Sequence, residues 1–79
     1  MSLTSNDFVK VIKGLFANEE LVDANVRFRE LEEWSSMQAL ILIAAVDEHF
    51  GVILPEKEFR KAITVEELFL LTISLKENA

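Results

Sequence analysis

Residues 31–51 read LEEWSSMQALILIAAVDEHFG, an acidic segment followed by a serine pair and a long apolar run that ends at a glycine. Ser35 and Gln38 match a capping box, in which the serine oxygen bonds the Gln38 amide and the glutamine side chain reaches back. The closing glycine suits a helix end, because glycine readily adopts the left-handed conformation found there. The stretch therefore predicts a helix that begins at the serine pair and ends at His49 or Phe50.

The apolar residues of this predicted helix fall on two faces. The first face, which we predict to pack in the core, is formed by Leu40, Ile43, Ala44 and Phe50. The second face is formed by Met37, Ile41 and Ala45. A helix that is apolar around so much of its circumference is typical of the centre of a helical bundle.

A first helix is predicted over Ser5–Phe16, because apolar residues recur there at helical spacing. Suitable N-cap residues stand at its start, namely Thr4, Ser5 and Asn6. We expect its buried face to consist of Phe8, Val11, Ile12, Leu15 and Phe16.

The segment Ala17–Glu33 reads as a long connection with acidic clusters at both ends. A loop of this length is unusual in a small domain unless it has a function. Its apolar residues should pin it across the helices, and these are Leu21, Val22, Val26, Phe28 and Leu31.

After the central helix, an extended link over residues 52–55 leads to a short helix over Glu56–Lys61. Thr64 and Glu67 form a second capping box, which opens a last helix from Val65 to about Leu75. The inward side chains of these two helices should be Phe59, Val65, Leu68, Phe69 and Thr72. The whole pattern predicts an all-α protein, a small four-helix bundle with a long loop between helices 1 and 2 and a short third helix.

Composition limits what such a chain can do. Its 79 residues predict a single domain over residues 1–79, and the net charge of −6 argues against binding to nucleic acid. An acidic surface suits partners with basic docking surfaces. The longest apolar run, Ala39–Val46, is too short to span a bilayer, so we expect no stable membrane insertion. No signal peptide is recognisable in residues 1–7, and the lack of cysteine fits a cytoplasmic location.

The residue types needed for catalysis are scarce in this sequence. There is no cysteine, and the single histidine, His49, stands near the end of the central helix, where a cation is favoured. No suitable nucleophile and base stand together, and no set of metal ligands is recognisable. We therefore predict no enzymatic activity and no metal site.

The landmarks together resemble the acyl carrier protein family. The family's modification motif, Asp-Ser-Leu or Asp-Ser-Met at the start of its second helix, corresponds here to residues 35–37, which read SSM. Later family elements correspond to residues 48–52, EHFGV, to Pro55, and to residues 63–68, ITVEEL, without gaps. The tryptophan before the serines is similar to that of stand-alone bacterial carriers of specialised pathways, and the Ser-Met pair is similar to that of the D-alanyl carrier protein.

This resemblance implies a carrier rather than an enzyme. A phosphopantetheinyl transferase would attach 4′-phosphopantetheine to Ser36, and the arm would carry an acyl or aminoacyl group as a thioester. Acyl-loading and acyl-transferring enzymes of fatty acid, polyketide or polysaccharide-linked biosynthesis would be the partners of a monomeric carrier. A fatty chain would fold back between the second and third helices onto Ile41, Ala45, Phe59 or Ile63. Expected docking residues are Met37, Gln38, Ile41, Asp47 and Glu48.

The sequence departs from the family pattern at one position that matters. Ser35 stands where the family has aspartate, which keeps the helix cap but removes a negative charge and predicts slower loading of Ser36. An alternative is therefore open, a degenerate carrier fold that acts only as an interaction module and is never modified. Trp34 is predicted to close the long loop by packing, with contact to a partner as the alternative.

Overall fold

The computed structural model describes residues 4–77, which contain four α-helices and two short 3₁₀ turns but no strand. The helices are α1 (Ser5–Lys13), α2 (Ser36–Phe50), α3 (Glu56–Lys61) and α4 (Val65–Glu77). The turns, Glu19–Leu21 and Phe28–Glu30, lie in the long connection between α1 and α2. The all-α prediction, with four helices and a short third one, is confirmed at this level. No helix among the described residues is long and apolar enough to cross a membrane.

Helix α1 ends earlier than predicted. Thr4 is its N-cap, since the threonine oxygen accepts the Asp7 amide at 3.1 Å. The helix stops at Lys13 rather than Phe16, because glycine at position 14 has low helix propensity and the chain tightens there into 3₁₀-type turns. Phe16 is nevertheless buried with Phe8 and Ile12, as its spacing predicted, whereas Val11 and Leu15 are half-buried.

The ends of α2 follow the predicted local chemistry with one exception. The Ser35 hydroxyl accepts the Gln38 amide at 3.1 Å, and Gly51 ends the helix at a φ of 68°. The predicted return bond from the Gln38 side chain is wrong. That side chain donates instead to the Leu15 carbonyl at 2.8 Å, because the early end of α1 leaves this carbonyl free.

The predicted core face of α2 is also wrong. The buried residues are Leu42, Ala45 and Val46, whereas Leu40 is 62% exposed and Ala44 is exposed as well. Ile43 and Phe50 are half-buried at the edge of the core. Every residue from 39 to 46 is apolar, so periodicity carries no information about which side of this helix faces inward.

Some of the apolar residues predicted to anchor the long connection do hold it against the helices. Val22 and Phe28 are buried and Val26 and Leu31 are half-buried, but Leu21 is 55% exposed and anchors nothing. Its backbone also pairs with the start of α4, where the Val65 amide donates to the Val26 carbonyl and the Glu66 amide to the Ala24 carbonyl. The connection is therefore held in one conformation by buried side chains and backbone hydrogen bonds, although its only regular structure among the described residues is two 3₁₀ turns.

Helices α3 and α4 form as predicted, with α4 two residues longer. Both halves of the second capping box are present, since the Glu67 amide donates to the Thr64 hydroxyl and the Thr64 amide donates to the Glu67 carboxylate. The predicted inward residues are all buried, and they are Phe59, Val65, Leu68, Phe69 and Thr72. The buried Thr72 hydroxyl is satisfied by the Leu68 carbonyl at 2.8 Å.

Candidate functional site

A groove of about 700 Å³ lies where the start of α2 faces α3. The long connection contributes Arg29 and Trp34 to its lining. Helix α2, with its cap, contributes Ser35, Ser36, Ala39, Leu40 and Ile43. Helix α3 contributes Glu56, Phe59 and Arg60. The groove is thus apolar along α2 and carries charged side chains on the opposite side.

Ser35 and Ser36 both line this groove and are exposed, but their hydroxyls are in different situations. The Ser35 oxygen is occupied as the cap of α2. Within residues 4–77, the Ser36 hydroxyl makes no hydrogen bond to another protein group, and it stands in the first turn of the helix. Helix geometry leaves the first backbone amides there without intrahelical acceptors, so an anion attached at Ser36 would meet donors and the positive end of the helix dipole.

Two side chains that flank Ser36 tie the start of α2 to the turn after α1. The Glu33 carboxylate accepts the amides of Ala17 and Asn18 at 2.8 and 3.0 Å. Gln38 binds the adjacent Leu15 carbonyl. Sequence spacing gives no sign of this contact, because nothing local links Glu33 to residues fifteen and sixteen positions earlier. The backbone on both sides of Ser36 is therefore held by hydrogen bonds to the turn after α1.

An aromatic cluster with one arginine forms the end of the groove near α3. The rings of Phe28 and Phe59 are 5.9 Å apart, and Trp34 meets Phe28 edge-on at 5.2 Å, so the predicted packing role of Trp34 is confirmed. The Arg29 guanidinium lies 4.8 Å from the Phe28 ring centre and 4.9 Å from that of Phe59. It donates to the carbonyl of Phe59, in the last turn of α3, and to that of Ala62, the C-cap residue of this helix. Desolvation by burial lowers the pKa of Arg29, but a guanidinium remains protonated at neutral pH.

Replacing Arg29 with methionine is expected to destabilise the protein by about 2 kcal/mol. Methionine keeps an apolar stem against the two rings, but two carbonyls lose a charged donor and the cation–π contact is lost. Urea unfolding measures the difference. The matched control is Arg27→Met, since Arg27 is an exposed loop arginine in a local ion pair with Glu30, and its loss should change stability by less than about 0.5 kcal/mol. Equal losses for both variants would contradict a fastening role for Arg29.

The predicted docking residues lie on the outer side of α2, apart from Gln38. Met37 is 65% exposed, Ile41 is 41% exposed, and Asp47 and Glu48 are exposed. Residues 37, 41 and 48 share one face of the helix by their spacing. Gln38 is half-buried, and its amide is engaged with α1.

The predicted contacts for a bound chain need correction. Of the four residues Ile41, Ala45, Phe59 and Ile63, only Phe59 lines the groove. Ala45 is buried in the core, and the α2 wall of the groove is made instead by Ala39, Leu40 and Ile43. For Ile41 and Ala45 the error has the same origin as the misassigned core face, namely the rotation of α2 about its axis.

Comparison of the chain with protein-family models, curated proteins and solved structures finds no match. His49 is exposed beside Phe50, with their ring centres 6.2 Å apart, and lies outside the groove lining. No group of three or more histidine, aspartate or glutamate side chains converges as a metal site among the described residues. A function for this chain must therefore be inferred from the groove and from the position of Ser36 in it.

Proposed function

We propose that this chain is an acyl carrier protein of the small four-helix type, with Ser36 as the attachment point for a 4′-phosphopantetheine arm. The observation that carries the proposal is the pair of serines at the start of α2. One hydroxyl caps the helix, while the next is exposed, lines the groove and makes no hydrogen bond to another protein group within the described residues. A carrier needs a nucleophilic hydroxyl that a transferase can reach, and Ser36 meets that need.

The residues at this site fit the group that the proposal requires. The Ser36 oxygen would attack the phosphorus of coenzyme A that bears the pantetheine, the pyrophosphate bond would break, and 3′,5′-adenosine diphosphate would leave. The serine proton would pass to a base of the transferase. Amides in the first turn of α2 would then face the new phosphodiester, which the helix dipole also favours. When attached, the group supplies a terminal thiol that holds the cargo as a thioester.

The carrier's own role is to present its cargo. A tethered substrate has a high effective concentration at whichever enzyme docks. The net charge of −6 favours encounter with basic surfaces of the transferase and of acyl-loading and acyl-transferring enzymes. Met37 and Ile41 would provide apolar anchors for docking, with Asp47 and Glu48 as the acidic contacts on the same helix.

Incubation with coenzyme A and a phosphopantetheinyl transferase of broad specificity tests the proposal. Intact mass spectrometry should show the addition of one 4′-phosphopantetheine group, and peptide mapping should assign it to Ser36. A chain that stays unmodified with several such transferases, or a group found on another residue, would contradict the proposal. Mass spectrometry of the protein from its own host would also identify the cargo.

Replacing Ser35 with aspartate is expected to raise the rate of loading several-fold. Aspartate caps a helix about as well as serine, and its charge is favourable at a helix start, so the fold should keep its stability. The substitution restores the carboxylate that the carrier family has beside its attachment point. Transfer rates at limiting transferase measure the effect, and Ser35→Asn, which caps without charge, is the control. Equal rates for the two variants would show that the charge has no part in loading.

A second candidate function is an unmodified interaction module with the same fold. The exposed apolar side chains of Met37, Leu40 and Ile41 on one helix favour it, as does the absence of the aspartate before Ser36. In that case a captured partner would bind the Ser36→Ala variant as well as the unchanged protein. The protein isolated from its host would also lack the arm.

A further inference from the structure

The groove beside Ser36 has two chemically different sides. Its α2 side is apolar, and from Ser36 to Ile43 it extends for about 10 Å at the helical rise of 1.5 Å per residue. Its other side combines the aromatic rings of Trp34 and Phe59 with two guanidinium groups, Arg29 and Arg60, and one carboxylate, Glu56. The groove therefore has a local positive excess on a chain whose net charge is −6.

The two arginines are not equally available to a ligand. Arg29 lies over two aromatic rings and donates to two carbonyls. Arg60 has a side chain 74% exposed, and among the described residues its ion pair is with Glu56, one turn earlier on α3. Exposed pairs of this kind contribute little to stability, so a second anion can recruit Arg60 at little cost.

We infer that the groove selects cargo with an apolar body and an anionic end, that is, acyl groups terminating in a second carboxylate. This inference rests on the proposed function, because it assigns the groove to the cargo on Ser36. A neutral alkyl chain would cover Ala39 and Ile43 but leave the guanidinium of Arg60 without a new partner. A small polar cargo would leave the apolar wall exposed to water. An acyl group with an apolar body and a terminal carboxylate meets both sides of the groove.

The unmodified chain provides a direct test with two small probes. Monomethyl adipate carries an ester at one end, in place of the thioester, and a carboxylate at the other, whereas dimethyl adipate is neutral. Titrations followed by the amide resonances of Ile43, Phe59 and Arg60 should show about fivefold tighter binding of the monoester. The overall charge of the chain would favour the neutral probe, so a preference for the anion must come from the groove. Equal affinity, or no binding of either probe, would overturn the inference.

Three variants identify the group responsible. Arg60→Gln should abolish the preference for the monoester, and Glu56→Gln should strengthen it by releasing Arg60 from its pair. Arg27→Gln is the matched control, because Arg27 is also an exposed arginine in a local pair but lies outside the groove, and it should change nothing. A preference that survives in Arg60→Gln, or is lost equally in Arg27→Gln, would contradict the assignment.

Loading separates this inference from the proposed function. Chains carrying adipoyl or hexanoyl groups on Ser36 should differ in the resonances of Arg60, with the larger shift for adipoyl. A chain that loads both groups but shows no difference would contradict the selection of anionic cargo while upholding the carrier function. A chain that binds the free monoester but is never loaded would contradict the carrier function, and the groove would then be a site for free carboxylates rather than for cargo.

Discussion

Replacing Ser36 with alanine is expected to abolish addition of the phosphopantetheine arm, while Ser35→Ala should leave the addition intact. The two hydroxyls are neighbours in sequence and both line the groove, but only that of Ser35 is occupied within the described residues. The stability effects should be reversed. Ser35→Ala removes a helix cap and should cost about 1 kcal/mol, whereas Ser36→Ala places a good helix former at an exposed position and should cost almost nothing.

This opposition between the two variants makes the test sharp. Intact mass after incubation with coenzyme A and a transferase measures loading, and urea unfolding measures stability on the same samples. Loss of loading in Ser36→Ala cannot be attributed to unfolding if that variant is as stable as the unchanged protein. Loading that persists in Ser36→Ala and disappears in Ser35→Ala would assign the arm to Ser35 and contradict the proposed role of the cap.

The sequence was informative wherever the deciding chemistry is local. The caps at Thr4, Ser35 and Thr64 each bond an amide three residues later, and Gly51 supplies the left-handed residue at the end of α2. Such contacts depend on residue type and spacing alone. For that reason the order of the helices and the position of Ser36 in the first turn of α2 were predictable.

Long-range partners could not be read from spacing. Glu33 binds amides of residues 17 and 18, and Arg29 binds carbonyls at positions 59 and 62. Both side chains are charged residues of a loop, for which a solvated position is the ordinary expectation. Their roles exist only because the fold brings the connection against α1 and α3. The groove's arginine side was unpredictable for the same reason, since it needs α3 to face the start of α2.

The rotation of α2 was the main structural error, and it has a consequence for the site. An apolar run from 39 to 46 is compatible with several orientations, and the neighbours of the helix decide among them. The orientation found places Leu42 and Val46 in the core and turns Ala39, Leu40 and Ile43 toward the groove. The apolar residues that made the core face of α2 unpredictable therefore also form the groove wall along which a chain attached at Ser36 would lie.

Leu42→Ala is expected to destabilise the protein by about 3 kcal/mol, and Leu40→Ala by less than about 0.5 kcal/mol. Leu42 is fully buried and its truncation leaves a cavity, whereas Leu40 is 62% exposed two residues earlier on the same helix. The pair has the same chemistry and the same helix propensity change, so the difference reports burial alone. A domain of this size has a total stability of roughly 4 to 12 kcal/mol, which makes the loss at Leu42 a large part of it.

Urea unfolding followed by far-ultraviolet circular dichroism measures both variants against the unchanged protein. If Leu40→Ala were the more damaging substitution, α2 would be rotated toward the face predicted from the sequence, and Leu40 would belong to the core. The groove would then lose part of its apolar wall, and the inference about its cargo would fail with it. The expected result is that Leu40→Ala is stable but binds monomethyl adipate more weakly. The Leu40 side chain would then contribute to ligand binding in the groove and not to the stability of the core.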